Sequence, residues 1–270
     1  SGCGSRDLEP FLDLGMSPVA DAYTARAEDD APQYPLEVAV CPKCRLVQLL
    51  EVVAADVLFG TGYSFYTSAS APLSAYHKTY AEQVLRQLKL STTRKLFVVE
   101  LGCNDGDMLQ HFHAAGCKTL GVDPAAGPLQ VAFERLPDVR GVAFTAEFAR
   151  ETQAYYGPAD VIIANHVLAH VEDVANFLQG ISILLAGDGV AYVEVQYLPD
   201  LLLNNAFDLV YHEHRNFFSL ASLDRAARRW NLGVAGAWFT DRQGGSLRVA
   251  LQHLLIHLRI RIVRLFFTYR

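Results

Sequence analysis

The densest group of reactive side chains in the sequence is the quartet Tyr211-His212-Glu213-His214. Two imidazoles, a carboxylate and a phenol within four residues can bind a metal ion or act as an acid–base relay. Metal ligands on a helix favour i,i+4 spacing, whereas the i,i+2 spacing of His212 and His214 suits an extended segment with both rings on one face. A histidine base whose tautomer is fixed by the neighbouring carboxylate is a second interpretation, and a polar surface cluster is a third.

A second candidate site is formed by three cysteines near the start of the chain. Cys41-Pro42-Lys43-Cys44 is a C-x-x-C pair in a turn-rich region, and Cys3 precedes it. Structural zinc takes four ligands, often as two such pairs, so we expect Cys3, Cys41 and Cys44 to ligate zinc. A partner three residues upstream of Cys3 would fall before Ser1, and no histidine precedes His77. A redox C-x-x-C, or three unrelated small apolar residues, are the alternatives.

A glycine-bearing turn joins an apolar strand to a helix at Val98-Val99-Glu100-Leu101-Gly102-Cys103-Asn104-Asp105-Gly106. Its two glycines allow a ligand to approach the backbone closely, and the helix N-terminus favours electron-rich groups. The spacing differs from the dinucleotide pattern G-x-G-x-x-G. Asp123 ends the next strand, where a carboxylate can accept both ribose hydroxyls of an adenosine-containing cofactor. Asn165 and His170 follow a later strand end, which is where sheets of this type bind ligands.

The elements that position these motifs alternate between apolar strands and helices. We expect strands at 96–101, 119–123, 142–144, 159–165 and 189–195, and helices at 72–90, 108–115, 129–136 and 171–185. Such alternation is typical of βαβ units, which predicts a parallel sheet at about 95–235 that is buried on both faces. The predicted fold class is therefore α/β.

The composition narrows the class of protein. The 270 residues are 51% hydrophobic and 19% charged, with a net charge of −6. These values exclude a disordered chain and argue against a nucleic-acid or anionic-membrane partner. No stretch has the roughly 18–20 consecutive apolar residues of a membrane span, and no signal peptide is visible. Five cysteines, an odd number, do not suggest a disulfide framework, so we expect a cytoplasmic protein.

The end of the chain has an unusual composition. After Asp241 the sequence contains no Asp, Glu or Lys, although arginine recurs, and residues 254–267 are mostly apolar. An amphipathic element packed on the sheet, a membrane-surface segment and an end altered by a shifted reading frame all fit this pattern.

Eight motifs follow one another along the chain: Leu12-Asp13-Leu14-Gly15-Met16-Ser17-Pro18, Tyr34-Pro35-Leu36, Cys41-Pro42-Lys43-Cys44, Leu101-Gly102-Cys103-Asn104-Asp105-Gly106, Gly121-Val122-Asp123-Pro124, Asn165-His166-Val167-Leu168-Ala169-His170, Tyr211-His212-Glu213-His214 and Gly244-Gly245-Ser246-Leu247-Arg248. In this order they resemble the S-adenosylmethionine (SAM)-dependent sugar-nucleotide C-methyltransferases, including deoxysugar C3-methyltransferases. The resemblance implies a zinc-binding domain at 1–70, a Rossmann-like class I methyltransferase domain at 71–235 and the truncated start of a C-terminal domain at 236–270.

Three features depart from the pattern of this family. The first zinc cysteine is absent, Gln243 stands where the family usually has a histidine, and the chain ends where most of the C-terminal domain begins. The arginine-rich tail does not resemble that domain.

The resemblance implies methylation of a carbon beside the ketone of a nucleotide-linked keto-deoxysugar, with SAM as cofactor and zinc in a structural role. Such a carbon must lose a proton first, so the enzyme needs a base and a group that stabilises the enolate oxygen. The resemblance implies that the cofactor is bound by Glu100, Gly102, Asn104, Gly106, Asp123, Pro124 and Asn165. The first four would surround the methionine part, and Asp123 would hold the ribose.

The resemblance also implies roles for five catalytic residues. His214 would be the base, Glu213 would tune it, and Tyr211 would lie beside the sugar. His170 would donate to the keto oxygen, and Tyr63, or alternatively Tyr66, would reach in from the N-terminal domain. We expect a monomer with a small-molecule partner. A small-molecule O- or N-methyltransferase, or an inactive SAM-binding protein that uses its zinc knuckle for protein contact, are the alternatives.

Overall fold

The computed structural model describes residues 2–20, 23–26, 30–59, 63, 65–89 and 94–254. The strands of the described chain are β1 Glu9–Pro18, β2 Gln33–Val40, β3 Val47–Leu49, β4 Phe97–Leu101, β5 Lys118–Val122, β6 Val139–Arg140, β7 Ala159–Asn165, β8 Leu185–Gln196, β9 Asn216–Phe217, β10 Leu232–Thr240 and β11 Ser246–His253. Its helices are α1 Ala55–Phe59, α2 Ala71–Lys89, α3 Leu109–Ala114, α4 Ala126–Arg135, α5 Ala146–Tyr156, α6 Val174–Leu184, α7 Leu198–Leu203 and α8 Leu220–Arg228. Most of the acid-free tail, residues 255–270, lies outside the described residues, so its three interpretations stay open.

Seven strands form the main sheet, in the order β10-β11-β8-β7-β4-β5-β6. Strands β4 to β8 pair in parallel, as the alternation of elements predicts. Strand β4 has the apolar sequence FVVEL and is buried along its whole length, as expected for a strand that helices cover on both faces. The α/β fold class is confirmed.

The sheet extends beyond its expected end at residue 235. Strand β11 pairs antiparallel with β8, and β10 pairs antiparallel with β11. The boundary expected between residues 235 and 236 therefore falls inside β10, and the sheet is mixed rather than parallel. Antiparallel neighbours need only a short turn and no crossover helix, so a search for βαβ units does not detect them. The division into three domains stays a prediction.

One expected strand is wrong. Residues 142–144 form no strand, and the chain pairs with β5 a few residues earlier, through β6. Val142, Ala143 and Phe144 instead line a cavity at the edge of the sheet. These apolar side chains therefore form part of a cavity wall and not a strand of the sheet.

Helices cover both faces of the main sheet. Helices α5, α6 and α8 pack on one face through residues such as Ile181 and Leu223, and α2, α3 and α4 pack on the other through Tyr80 and Leu109. The result is a three-layer α/β/α arrangement. Among the described residues, no helix combines the length and the apolar character that crossing a bilayer requires.

A second, antiparallel sheet has the strand order β1-β2-β3-β9. Strand β9 follows the quartet directly and pairs with β3, while the next residue, Phe218, forms a β-bridge with Tyr197 at the end of β8. The quartet therefore lies where the two sheets meet.

Candidate active site and thiol cluster

A cavity of about 840 Å³ opens at the carboxyl ends of β4, β5 and β7, where sheets of this type bind ligands. All the predicted catalytic and cofactor-binding residues except Gly106 line it: Tyr63, Glu100, Gly102, Asn104, Asp123, Pro124, Asn165, His170, Tyr211, Glu213 and His214. The cavity is large enough for a ligand of cofactor size.

The two glycines of the turn after β4 have different surroundings. Gly102 has a φ of +70°, and a Cβ at this position would overlap the Cγ2 atom of Val167. Gly102 and Val167 pack closely together in the cavity wall. Gly106 has a φ of +78° and packs against Leu136 of the segment after α4, 2.8 Å from where its Cβ would stand. The left-handed backbone and the packing on Leu136 both account for a glycine at position 106, and its contact with the cofactor stays a prediction.

Acceptor atoms are concentrated at the strand ends. The Asp123 carboxylate accepts hydrogen bonds from the backbone N–H groups of Asn104 and Ala125, both at 2.8 Å. Burial raises the pKa of Asp123, although these two donors lower it. Burial and neighbouring carboxylates raise the pKa of Glu100 well above its usual range. Glu100 Oε2 and Asn165 Oδ1 are buried without a hydrogen-bond partner, so both can accept from a ligand.

The Asn104 side chain is engaged with the protein itself. Its Oδ1 atom accepts from the Thr67 backbone N–H at 3.0 Å, and its Nδ2 atom donates to the Phe65 carbonyl at 3.0 Å. Asn104 therefore holds the segment before α2 against the glycine turn, and it lines the cavity beside that segment.

The quartet is a turn, so the prediction of an extended segment is wrong. The His214 backbone N–H donates to the Tyr211 carbonyl at 2.9 Å, which closes the turn. The two imidazoles consequently separate: His212 is buried, 3.2 Å from the Pro35 carbonyl and edge-on to Tyr34, whereas His214 lines the cavity. The two rings therefore have different surroundings, and His214 is the histidine of the quartet that lines the cavity.

His214 has a defined tautomer. Its Nδ1 atom lies 2.9 Å from the Leu209 carbonyl oxygen, which can only accept, so Nδ1 carries the proton of the neutral ring. Its Nε2 atom then accepts from the Tyr211 hydroxyl at 3.0 Å and the Gln196 amide at 2.9 Å. Burial lowers the pKa of His214 to about 4, so the ring is neutral near pH 7. The Leu209 carbonyl therefore sets the tautomer, which corrects the expectation that Glu213 does so.

His170 lies directly beside His214, with 5.0 Å between the ring centroids. It makes a hydrogen bond to the backbone of Glu213, and its Nδ1 atom is buried without a partner. Burial, together with the neighbouring His214 ring, lowers the pKa of His170 to about 3. Both rings are therefore neutral near pH 7.

Of the two tyrosines considered for the N-terminal contribution, Tyr63 lines the cavity and Tyr66 does not. The Tyr63 ring packs edge-on against Phe59 at 5.6 Å, and Phe59 packs edge-on against His170 at 5.8 Å. The Tyr66 hydroxyl instead lies beside Gly127 of α4. A chain of aromatic contacts thus connects Tyr63 to the histidine pair.

Sequence reasoning missed a buried charged network below the cavity. Glu194 of β8 is fully buried and accepts from Arg248 of β11 at 2.8 Å and from the Tyr76 hydroxyl of α2 at 2.8 and 2.9 Å. His166 lies 3.4 Å from the same carboxylate. Burial alone would raise the pKa of Glu194, but His166, Arg248 and Tyr76 together lower it to about 2. The sequence does contain one signal for this network: Glu194 and Arg248 are charged residues within two otherwise apolar strands.

The three N-terminal cysteines meet as predicted. The sulfur atoms of Cys3, Cys41 and Cys44 all lie within 4.8 Å of one another, and Cys3 and Cys41 are 3.6 Å apart. The turn between the pair is closed by the Arg45 N–H, which donates to the Cys41 carbonyl at 2.8 Å. Such a group of sulfur atoms fits zinc, which prefers thiolate ligands. Cys103 and Cys117 are buried elsewhere and take no part in the cluster.

Comparison with known proteins identifies the family. Residues 74–235, more than half of the chain, match the family model described as "Methyltransferase domain". The chain belongs to this methyltransferase family. Residues 2–59 of the methyltransferase match the model described as "Putative zinc binding domain", and the cysteine cluster lies within that match. The Rossmann-like fold of SAM-binding methyltransferases and the N-terminal zinc-binding domain, both expected from the sequence, are thereby confirmed.

The methyltransferase is similar to C-methyltransferase NovU of Streptomyces niveus, with 35% identity over 249 residues that cover 92% of this chain and 59% of that protein. This chain therefore spans less than two thirds of the relative. It superposes on 1,6-didemethyltoxoflavin-N1-methyltransferase of Burkholderia thailandensis with a TM-score of 0.53 at 17% identity, covering 91% and 99% of the two chains. Magnesium protoporphyrin IX methyltransferase of Synechocystis PCC 6803 gives a TM-score of 0.51 at 15% identity, covering 72% and 90%. The two structures share its fold.

Proposed function

We propose that this protein is a SAM-dependent C-methyltransferase that acts on a nucleotide-linked keto-deoxysugar, by removing a proton beside the ketone and methylating the resulting enolate carbon. The observation that carries the proposal is the neutral His214 ring at the cavity wall, whose unprotonated Nε2 atom is held by the hydroxyl of Tyr211, which also lines the cavity, and by the Gln196 amide. The similarity to C-methyltransferase NovU supports transfer to carbon. The motifs shared with sugar-nucleotide C-methyltransferases support the substrate class.

The cavity fits SAM by the chemistry of its walls. The ammonium group, the ribose hydroxyls and the adenine amino group of SAM are hydrogen-bond donors. The wall offers unused acceptors at Glu100 Oε2 and Asn165 Oδ1, and the Asp123 carboxylate keeps further lone pairs beyond its two backbone bonds. Gly102 lines the cavity beside these acceptors. Bound SAM would supply an electrophilic methyl group.

His214 is suited to take a proton from carbon. Because Nδ1–H is held by the Leu209 carbonyl, the proton from the substrate goes to Nε2, and the resulting imidazolium keeps its bond to that carbonyl. The pKa of about 4 describes the ring in its buried surroundings, without a negative charge beside it. An enolate forming next to the ring would raise this pKa, because an opposite charge favours the protonated form.

We revise the role of His170. Its hydrogen bond to the Glu213 backbone uses the one proton of the neutral ring, so Nδ1 carries a lone pair and cannot donate to a keto oxygen. We assign His170 to positioning the quartet turn and the substrate. The Tyr211 hydroxyl, which donates to His214 Nε2 at 3.0 Å, is the better candidate. Once Nε2 has taken the substrate proton, Nε2–H donates to the Tyr211 oxygen, and the Tyr211 proton is released to donate to the developing enolate oxygen.

Zinc has a structural role in this proposal. Cys3, Cys41 and Cys44 would hold it, and none of them lines the cavity. Their contribution to function runs through β2 and β3, which carry the sheet that ends in β9 beside the quartet.

The test is the variant His214→Asn, with His113→Asn on the exposed surface of α3 as control. We expect SAM affinity by calorimetry to stay within twofold in both variants, and turnover with keto-sugar nucleotides to fall at least about 100-fold in His214→Asn alone. Near-wild-type turnover in this variant would remove His214 as the base. Locating the new methyl group by NMR completes the test: a methyl on oxygen or nitrogen would contradict C-methylation, and SAM binding without any product would favour the inactive alternative.

A further inference from the structure

The turn between β10 and β11 brings an arginine to the cavity. The guanidinium of Arg242 lines the cavity and stacks on the Tyr76 ring, 4.5 Å from its centroid. Within the part of the chain that the structure describes, no carboxylate forms an ion pair with Arg242. Its charge is therefore available to a ligand.

The remaining charge on the cavity wall has the opposite sign. The lining carboxyl groups are Glu100, Asp123, Glu172, Asp173 and Glu213. Among the described lining residues, Arg242 is the only lysine or arginine. The acidic wall suits the cationic SAM, whereas Arg242 is the charged side chain of the described lining that attracts an anionic group of a second substrate.

Arg242 also lies on the same side of the cavity as the candidate base. The next residue, Gln243, accepts from the Gln196 amide at 2.7 Å, and the same amide nitrogen lies 2.9 Å from His214 Nε2. Two hydrogen bonds thus connect the residue beside Arg242 to the atom that would take the proton. A substrate whose anionic group binds at Arg242 would therefore reach His214 with its other end.

The backbone holds Arg242 in place before any ligand binds. Gln243, Gly244 and Gly245 have φ values of +46°, +75° and +119°. A Cβ on Gly245 would approach the Asp200 carboxylate to 2.5 Å, and the Gly245 carbonyl accepts from the Tyr197 N–H at 2.9 Å. A turn of this kind reduces the entropy lost on binding.

A second, independent feature of the wall favours an anion. Ser70, which directly precedes the 19-residue helix α2, and Leu73 of its first turn line the cavity. The N-terminus of a helix carries partial positive charge. Arg242 stacks on Tyr76 of the same helix, so both positive features belong to one region of the wall.

We propose that Arg242, with the N-terminal turn of α2, forms the subsite for the diphosphate of the nucleotide-linked sugar. A guanidinium can bind two phosphate oxygens through parallel N–H donors, which fixes the orientation of the substrate as well as its charge. This inference rests on the proposed function, and it adds the residue that selects a diphosphate substrate over a neutral sugar.

The experiment measures the affinity of thymidine diphosphate by calorimetry for the wild type, Arg242→Gln, Arg242→Lys and the control Arg150→Gln, which alters an exposed arginine of α5 away from the cavity. We expect at least a tenfold loss of affinity in Arg242→Gln, a smaller loss in Arg242→Lys and no change in the control. SAM affinity, measured on the same samples, should stay within twofold and reports that each variant is folded. With sugar nucleotides, KM should rise at least tenfold in Arg242→Gln while kcat changes less than threefold.

The outcomes separate this inference from the proposed function. Equal thymidine diphosphate affinity in Arg242→Gln and wild type, or no binding to the wild type, overturns the subsite. An unchanged KM alongside normal C-methylation overturns the subsite and leaves the function intact. Arg242-dependent binding of thymidine diphosphate without methylation of any keto-sugar nucleotide supports the subsite and overturns the function.

Discussion

Gly102 and Gly116 have similar left-handed backbones, with φ of +70° and +87°, but different neighbours. A Cβ on Gly102 would overlap the Val167 side chain, whereas a Cβ on Gly116 would meet nothing within 4 Å. The comparison shows two different reasons why a position requires glycine. At position 116 the backbone alone requires it, and at position 102 the backbone and the close packing of the cavity wall both do.

The first prediction uses this matched pair. Gly116→Ala should lower the free energy of unfolding by about 1 kcal/mol, the cost of a left-handed alanine. Gly102→Ala should lower it by about 3 kcal/mol, because overpacking against Val167 adds about 1–3 kcal/mol. Urea titration measures both values, and the double variant Gly102→Ala/Val167→Ala should recover part of the loss. Equal losses at the two glycines would show that Val167 imposes no packing constraint.

At the scale of elements, the Glu194 network joins α2 to two central strands of the main sheet. Tyr76 belongs to α2, Glu194 to β8 and Arg248 to β11, and the Arg248 guanidinium also stacks on Tyr80 at 3.3 Å from its ring centroid. Glu194 and Arg248 are both buried. Removal of one partner leaves the other charge without compensation in a poorly solvated region.

The second prediction compares this pair with an exposed one. Arg248→Met should lower the free energy of unfolding by about 3–5 kcal/mol, since it leaves the buried Glu194 charge unpaired. Arg228→Met, which breaks the exposed pair with Asp224, should cost less than about 1 kcal/mol. The double variant Glu194→Gln/Arg248→Met should be more stable than Arg248→Met alone. Denaturant unfolding measures each value, and a double variant no better than the single one would contradict charge burial as the cause.

The third prediction concerns the β2–β3 segment that carries the cysteine pair. Zinc at about 100 times its dissociation constant should stabilise the wild type by about 2.7 kcal/mol, because it binds only the folded cluster. Thermal unfolding with and without zinc chloride should show the same increase in Tm for Cys117→Ser, whose cysteine lies in a separate core cluster. Cys41→Ser should lose the increase. A zinc-dependent shift retained in Cys41→Ser would mean that the metal binds elsewhere.

The limits of sequence reasoning follow from how far apart the interacting residues are. The strand–helix alternation, the glycine turn and the C-x-x-C pair each depend on residues close together in the chain, so the pattern alone predicted them. The quartet did not form an extended segment, because the Leu209 carbonyl and Gln196 hold His214 in a turn. The Glu194–Arg248 pair depends on two strands that meet only in the folded sheet. Spacing along the chain carries no signal for such contacts.

At the scale of the whole molecule, acid stability reflects three buried groups with opposing effects. The native state keeps His170 and His214 neutral down to pKa values of about 3 and 4, whereas both titrate at 6.5 when unperturbed. The pKa of Glu100 is shifted the other way, well above its ordinary 4.5. As the pH falls from about 6.5 to 5, the unfolded chain therefore binds up to two more protons than the native state at the histidines, whereas at Glu100 the native state binds protons more readily than the unfolded chain.

The fourth prediction follows from this difference in the number of protons that the unfolded and native states bind. Because the unfolded chain gains more protons, the free energy of unfolding should fall as the pH falls from about 7 to 5, by about 2 kcal/mol for each histidine and with Glu100 opposing. His214→Gln should flatten this dependence, and Glu100→Gln should steepen it. Urea titrations across that pH range measure the slope. A slope that His214→Gln leaves unaltered would mean that this ring titrates at the same pH in the native and unfolded states, and that burial does not hold it neutral in the native protein.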